Sequence, residues 1–346
     1  MTALTAPARP QEDASPRPLP WRRMAWVTWR QHRLALAGVA VLLGGLALWV
    51  WLTGLQVHHD YAAAVACRPA SSGACGNLAS YFMADWPTAQ LIATLLQAVP
   101  ALIGAFVGAP VLSRELETGT FRFAWTLGFG RSRWTLAKLV TLAVAVAAAA
   151  GLFSLLFSWY FQPFFSQQVF FGGANTIPLA ALVFDLRGVA FAAWTLAAFA
   201  IGALAGMLIR RAVPAIAATL AAYTGLALAV GLYLRQHYLI PLRTSQPDVP
   251  RFAWIISQQW YKGGQPVSQS ALTQALQGAQ VTGKGGGIPQ SPSITQYLVQ
   301  HGYTLWTSYQ PGSRFWPFQW IEGGWLLALS ALLIAAAVWL VRRRAA

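Results

Sequence analysis

Hydrophobic residues gather in six long stretches that polar segments separate. A helix rises about 1.5 Å per residue, so roughly 20 apolar residues cross the ~30 Å hydrocarbon layer of a bilayer. Each stretch reaches that length, so the pattern predicts an all-α membrane protein with six transmembrane helices. The predicted spans are residues 34–55, 88–109, 135–161, 188–209, 212–234 and 321–341.

Two features inside the spans predict how the helices run and pack. Pro100 cannot donate a helical hydrogen bond, so we expect it to kink the second span. Alanine and glycine dominate residues 143–151 and 201–206, and such small residues let helices approach closely.

The polar segment, residues 110–138, lies between the second and third spans and gathers charges of both signs. A short helix is predicted over residues 114–123, with Ser113 as a candidate N-cap. Glu115 and Glu117 would then lie in the first turn, where the helix dipole favours negative charge.

A glycine-threonine pair, Gly119 and Thr120, is expected to interrupt this helix, because glycine weakens a helix interior. The alternative is an ordinary solvated loop, since the positive-inside rule predicts basic residues there whatever the function. That rule does not predict the pair of glutamates beside the break.

Composition supports a membrane protein, because 56% of the residues are hydrophobic and only 10% are charged. A soluble domain usually carries about a quarter charged residues. The net charge of +15 does not indicate nucleic-acid binding, because most basic residues lie in short segments beside apolar runs. Such segments face the cytosol by the positive-inside rule, so both termini are predicted to be cytosolic.

The pattern divides the chain into five regions. Residues 1–19 lack an apolar core and are predicted to be a disordered cytosolic tail. Residues 20–33 mix tryptophan with arginine, which favours a helix lying in the headgroup layer. Residues 34–234 form a five-span bundle, residues 235–320 an external subdomain, and residues 321–346 the sixth span with a basic cytosolic tail.

Two amphipathic helices are predicted inside the external subdomain. They cover residues 268–277 and 291–301, and glycines end them at Gly278 and Gly302.

The two cysteines, Cys67 and Cys75, lie in a predicted outer loop at residues 56–87. Their spacing and the intervening turn-forming residues allow a disulfide, which would close a small loop. Two free thiols are the alternative. No CxxC motif is present, so no metal site is predicted.

Catalytic motifs are missing from the sequence. Residues 278–285 approach a phosphate-binding loop, but Gly285 replaces the serine or threonine that would hold magnesium. No catalytic residues are predicted, and the chain is not expected to be an enzyme.

Ionisable residues are rare in the spans, which disfavours ion-coupled transport. Glu322 is the most interior one, with Arg314 or Arg187 as a candidate partner. Two roles stay open for Glu322: a gate or substrate contact, and a structural ion pair at the interface.

RELETGT at residues 114–120, followed by RSRWTLAK at residues 131–138, resembles the cytosolic loop of actinobacterial ABC exporter permeases. SYQPGSRFWPFQWIE at residues 308–322 resembles the stretch before their last span. This family has six spans in a type-2 ABC transporter fold. The resemblance implies a coupling helix in the polar segment, and an elbow helix at residues 20–33.

In that family the coupling helix docks in a groove of the ATP-binding subunit. The resemblance therefore implies a set of ATPase-coupling residues: Arg114, Glu115, Glu117, Gly119, Thr120, Arg122, Arg131 and Lys138. It implies a cytosolic ABC ATPase as partner, which binds ATP and Mg²⁺, so this chain is expected to hold no cofactor. A homodimer, or pairing with a similar permease, is implied too.

The sequence thus predicts the membrane subunit of an ATP-driven exporter for a hydrophobic or amphipathic substrate, such as a drug, antibiotic, lipid or peptide. Two alternatives stay open: a secondary transporter that needs no ATPase, and a membrane scaffold or sensor with an external ligand-receiving loop.

Overall fold

The computed structural model describes residues 21–68, 72–119, 131–166, 177–246, 249–278 and 292–344. Within these ranges, six helical spans are long and apolar enough to cross a membrane, which confirms the predicted number. They are Met24–Ala66, Gly73–Thr118, Ser132–Phe165, Gly188–Ile209, Ala212–His237 and Gly312–Arg343. The tail predicted for residues 1–19 lies outside the described residues.

The described ranges contain the α-helices that build these spans and the external region, numbered here in chain order. They are α1 (Trp21–Ala66), α2 (Gly73–Ala84), α3 (Trp86–Leu96), α4 (Ala98–Ile103), α5 (Ala109–Thr118), α6 (Arg131–Phe161), α7 (Ala181–Phe184), α8 (Gly188–Ile209), α9 (Ala212–Ala229), α10 (Gln269–Gly278), α11 (Pro292–Gln300) and α12 (Phe315–Arg344).

The first helix is longer than its predicted span at both ends. It runs without a break from Trp21 to Ala66, so the interfacial helix predicted for residues 20–33 is continuous with the first span. No proline interrupts the helix. The outer loop predicted at residues 56–87 is also mostly helical, because α1 occupies its first part and α2 its last.

The second span is assembled from short helical pieces that prolines separate. The helix is interrupted at Gln97, one turn before Pro100, and the kink expected at Pro100 stays a prediction. A π-helical turn at Gly104–Gly108 then leads into α5. Pro110 follows that turn and has no N–H group to donate to the carbonyl one turn earlier. This missing hydrogen bond is a physical reason for the wider π-helical turn.

Helix α8 lies at the centre of the bundle and touches the second span backbone to backbone. A Cβ atom added at Gly104 would lie 2.5 Å from the carbonyl oxygen of Ala198, and one at Gly108 would lie 2.5 Å from that of Phe199. A Cβ atom at Gly202 would overlap the carbonyl oxygen of Gly104. Of the small residues predicted to allow close packing, Gly202 therefore lies in the contact between the second and fourth spans, opposite Gly104.

A four-stranded antiparallel sheet lies between α9 and α12, so the all-α prediction is wrong for this region. The strands are β1 (Leu242–Thr244), β2 (Trp254–Lys262), β3 (Gln265–Pro266) and β4 (Tyr303–Gln310), in the order β1-β4-β2-β3. The two predicted amphipathic helices are present as α10 and α11. Gly302 follows α11 with a positive φ of 79°, as expected for a glycine that ends a helix.

The two cysteines form a disulfide across the turn between α1 and α2, with their Cα atoms 5.5 Å apart. We call the end of the bundle that carries this turn and the sheet the sheet end. The opposite end, where α5 finishes, is called the α5 end.

Candidate functional site

The polar segment begins as a direct continuation of the second span. Helix α5 covers Ala109–Thr118, and Ser113 is buried inside it, where its hydroxyl donates to the carbonyl oxygen of Ala109 at 2.9 Å. The prediction that Ser113 caps a separate helix is therefore wrong. The helix ends at Gly119, which has a φ of 70°, a left-handed conformation that favours glycine.

Glu115 joins α5 to the third span. Its Oε1 atom lies 2.5 Å from Nζ of Lys138 on α6. The Lys138 side chain is only 1% exposed, whereas that of Glu115 is 25% exposed. A buried ammonium needs a partner, so removing Glu115 would leave a desolvated charge between these helices.

Glu117 joins α5 to the fifth span. Its Oε2 atom accepts a hydrogen bond from the backbone N–H of Ala212, at 3.2 Å. Ala212 is the first residue of α9, where unpaired N–H groups and the helix dipole favour a negative charge. The two glutamates therefore connect one helix turn of α5 to two other spans, and we call Glu115, Glu117, Lys138 and Ala212 the α5 linkage.

The remaining predicted coupling residues are only partly inside the described ranges. Arg114 is exposed near the end of α5. Thr120 and Arg122 lie outside the described residues, and Arg131 begins α6 without a described side chain. The structure therefore brings Glu115 and Lys138 together, and it leaves contacts of Thr120, Arg122 and Arg131 untested.

A second charged cluster lies near the sheet end, with Arg235 and Glu322 buried and Asp185 19% exposed. The Nε and Nη2 atoms of Arg235 donate to the two carboxylate oxygens of Glu322, at 2.9 and 2.8 Å. Nη2 also pairs with Asp185. Trp194 donates its indole N–H to Glu322 at 2.8 Å. We call Asp185, Trp194, Arg235 and Glu322 the Arg235 cluster.

The predicted pairing of Glu322 with Arg314 is wrong. Arg314 donates instead to the carbonyl oxygen of Ile240 and to the side chain of Gln310. Arg187, the other candidate, places its guanidinium over the rings of Phe165 and Phe315, at 4.4 and 4.9 Å.

The Arg235 cluster ties three spans together at the point where the fifth span ends. Arg235 follows a π-helical turn at Val230–Leu234, while Trp194 lies on α8 and Glu322 on α12. Burial and the charge of Glu322 raise the pKa of Asp185, which lies between spans, to about 7, although Arg235 opposes that shift. Protonation of Asp185 would change the formal charge of the cluster from −1 to zero.

Two members of this cluster could have been suspected from the sequence. Arg235 and Asp185 are isolated charges at the ends of neighbouring spans, where opposite charges tend to pair. The sequence does not show which of several arginines faces Glu322. In the described part of the chain, no group of three or more His, Cys, Asp or Glu side chains is placed to hold a metal.

Comparison with known proteins gives one match. The family model described as ABC-2 membrane transporter related matches residues 37–235, which is more than half of the 346-residue chain. No curated protein and no solved structure matches the chain. The matched region includes the second to fourth spans, most of the first and fifth spans, the α5 linkage and Arg235. The chain therefore belongs to the ABC-2 membrane transporter related family and is a multi-pass permease component of an ABC transporter.

Proposed function

We propose that the chain is the membrane subunit of an ATP-driven exporter, and that a separate cytosolic ABC ATPase moves it through α5. In this proposal the α5 end faces the cytosol, both termini lie on that side, and the sheet lies outside the cell. The positive-inside rule supports this orientation, because Arg210, Arg211 and the basic end of α12 accompany the α5 end.

The observation that carries the proposal is the α5 linkage. A push on the end of α5 reaches the third span through Glu115 and Lys138, and it reaches the fifth span through Glu117 and Ala212. The glycine-lined contact with α8 transmits the same movement to the fourth span. Packed helices shift as rigid units, so a short exposed segment can displace most of the bundle.

The proposed substrate is hydrophobic or amphipathic, such as a drug, antibiotic, lipid or peptide. Its support is the apolar character of the six spans, whose 18-residue cores average hydropathies of 1.8 to 2.4. Two copies, or this chain with a similar permease, would form the pathway, because one six-span unit supplies one coupling segment. Alternating access requires two facing halves.

A charge exchange tests the linkage. The chain is co-expressed and reconstituted with the ABC ATPase that co-purifies with it, and ATP hydrolysis is measured with and without the permease. Glu115→Lys should abolish the permease-dependent change, because two ammonium groups would then face each other. The double variant Glu115→Lys with Lys138→Glu should restore most of it, because the pair is remade in reverse.

Arg343→Glu serves as the control, since Arg343 lies at the same end and stacks on Trp339 rather than joining the linkage. If the single Glu115 variant hydrolyses ATP like the wild type, α5 does not carry the coupling. If the exchange fails to restore coupling while the protein stays folded, Glu115 contacts the ATPase directly and the linkage to Lys138 is not the route.

One observation favours the alternative of a secondary transporter, namely the buried Arg235 cluster with its titratable Asp185. That alternative predicts substrate movement driven by a proton gradient in vesicles that lack any ATPase. Transport that requires both the ATPase and ATP would exclude it.

A further inference from the structure

A pocket of about 580 Å³ opens at the α5 end between four helices. Its walls come from the start of α1, the end of the second span, Lys138 on α6 and the start of α9. The α5 linkage forms one side of it, but the pocket itself has no role in that linkage.

The lining changes from polar to apolar along the direction in which a lipid lies in a membrane. The polar residues are at the helix ends, with His32 on α1 and Arg114 and Glu115 on α5. Eight residues before Arg114, Phe106 lines the same pocket, which places it roughly 12 Å deeper at 1.5 Å per residue. Ile216 lies about one turn inside the start of α9.

The mouth of the pocket faces sideways into the hydrocarbon layer. Three large apolar side chains that line it are strongly exposed: Leu34 at 82%, Val213 at 78% and Phe106 at 60%. Apolar groups in a membrane span are stable when exposed to acyl chains rather than to water. The opening between α1 and α9 is therefore open to lipid.

The polar end of the pocket carries a cation, Arg114. The carboxylate of Glu115 is bound to Lys138, whereas Arg114 has no ion-pair partner among the described residues. The Nε2 atom of His32 is buried without a hydrogen-bond partner in the same ranges. A buried polar atom of this kind calls for a partner from outside the chain.

We propose that this pocket binds an anionic phospholipid from the inner leaflet, with the headgroup phosphate at Arg114 and His32 and an acyl chain along Phe106 and Ile216. Basic pockets between spans on the cytosolic side select anionic headgroups by charge. The assignment to the inner leaflet rests on the orientation in the proposed function. A bound lipid would lie directly against α5 and Lys138. Membrane composition would therefore affect α5, the helix that the ATPase is proposed to move.

The test is a lipid titration of the purified chain in detergent, read by native mass spectrometry. The probes are phosphatidylglycerol and phosphatidylcholine with identical acyl chains. The wild type should bind phosphatidylglycerol at one saturable site with a preference of about tenfold. Arg114→Gln should lower that preference about fivefold, and Arg114→Lys should retain most of it.

Two further variants separate this site from general surface attraction. Ile216→Trp fills the apolar part and should weaken both lipids. Arg343→Gln removes a basic residue at the same end but outside the pocket and should change nothing. An equal loss of preference in Arg343→Gln, or the lack of a saturable site in the wild type, overturns the proposal.

Two other occupants give distinct outcomes. Displacement of the lipid by millimolar inorganic phosphate would show a simple anion site and overturn the proposal. The second occupant is another copy of the chain. If a cysteine placed at Val213 cross-links two copies in high yield in lipid-saturated protein, a second chain covers the mouth of the pocket, and the proposal is overturned. The assay contains no ATPase and no nucleotide, so its outcome does not depend on whether α5 couples the ATPase to the membrane spans.

Discussion

The two charged clusters of the bundle differ in how completely the protein encloses them. In the Arg235 cluster, the side chains of Arg235, Glu322 and Asp185 are 1%, 0% and 19% exposed, and Arg235 binds both carboxylates. In the α5 linkage, Lys138 is buried, but both glutamates keep contact with solvent and each makes one bond to a neighbouring span. A network of several bonds favours one arrangement, whereas a single bond whose acceptor reaches solvent can be remade in another position.

In the proposed mechanism, this difference gives the two ends different mechanical roles. The sheet end holds the fourth, fifth and sixth spans in a fixed relation, and the disulfide fixes the turn between the first two spans there. The α5 end joins the second, third and fifth spans through contacts that can shift. A permease driven from one side requires this combination of an anchored end and a movable end.

Loss of the Arg235 guanidinium at the sheet end should lower the stability of the protein more than the other changes. Arg235→Leu leaves two buried carboxylates without their cation, and such changes cost about 3–5 kcal/mol. The unfolding midpoint of the purified protein in detergent should fall strongly. Arg243→Leu is the matched control, because Arg243 is exposed on β1 and should tolerate the change. Equal midpoints for the two variants would show that the Arg235 cluster does not anchor this end.

A methyl group added between α8 and the second span should lower the stability of the protein by an intermediate amount. Gly202→Ala forces apart backbones that touch, at about 1–3 kcal/mol. Gly225→Ala on α9 places its methyl group in open space and should be neutral or stabilising by up to about 1 kcal/mol. The unfolding midpoint should therefore fall for Gly202→Ala and stay unchanged or rise for Gly225→Ala. A rise in both midpoints would mean that helix propensity, rather than backbone contact, decides the stability of this bundle.

Protonation of Asp185 should produce an effect on stability that appears only when the pH is changed. Its folded pKa of about 7 lies above the ordinary value of 3.8, so the folded protein binds the extra proton more tightly. Stability should therefore be higher at pH 5 than at pH 8 and should fall as the pH rises through 7. Asp185→Asn should remove this part of the pH dependence of the unfolding midpoint. An unchanged slope in the variant would assign the dependence to another group.

The sequence predicts the spans well because apolar length is a property of each segment alone. It also predicts the break at Gly119, although the helix before it begins at Ala109 rather than at residue 114. The pairing of charges is a different kind of information. Glu322 and Arg235 are 87 residues apart, and only the packing of α9 against α12 selects that pair over Arg314.

The sheet was missed although its strands carry a local signal. Residues 254–262 are rich in aromatic and β-branched side chains, and Gly263–Gly264 follows them as a two-residue hairpin turn. The alternation of polar and apolar positions in β4 is short, and a strand is stable only beside neighbouring strands, so this pattern alone does not determine a sheet.

Labelling in intact cells tests the orientation on which the proposed coupling depends. Cysteines are placed at Thr118, which is exposed at the end of α5, and at Ser257, which is exposed on β2, while the native cysteines remain paired. A membrane-impermeant maleimide should label the cysteine at 257 in intact cells, and the one at 118 only after permeabilisation. Labelling of residue 118 in intact cells would place α5 outside the cell and contradict its role as the segment that an ATPase moves.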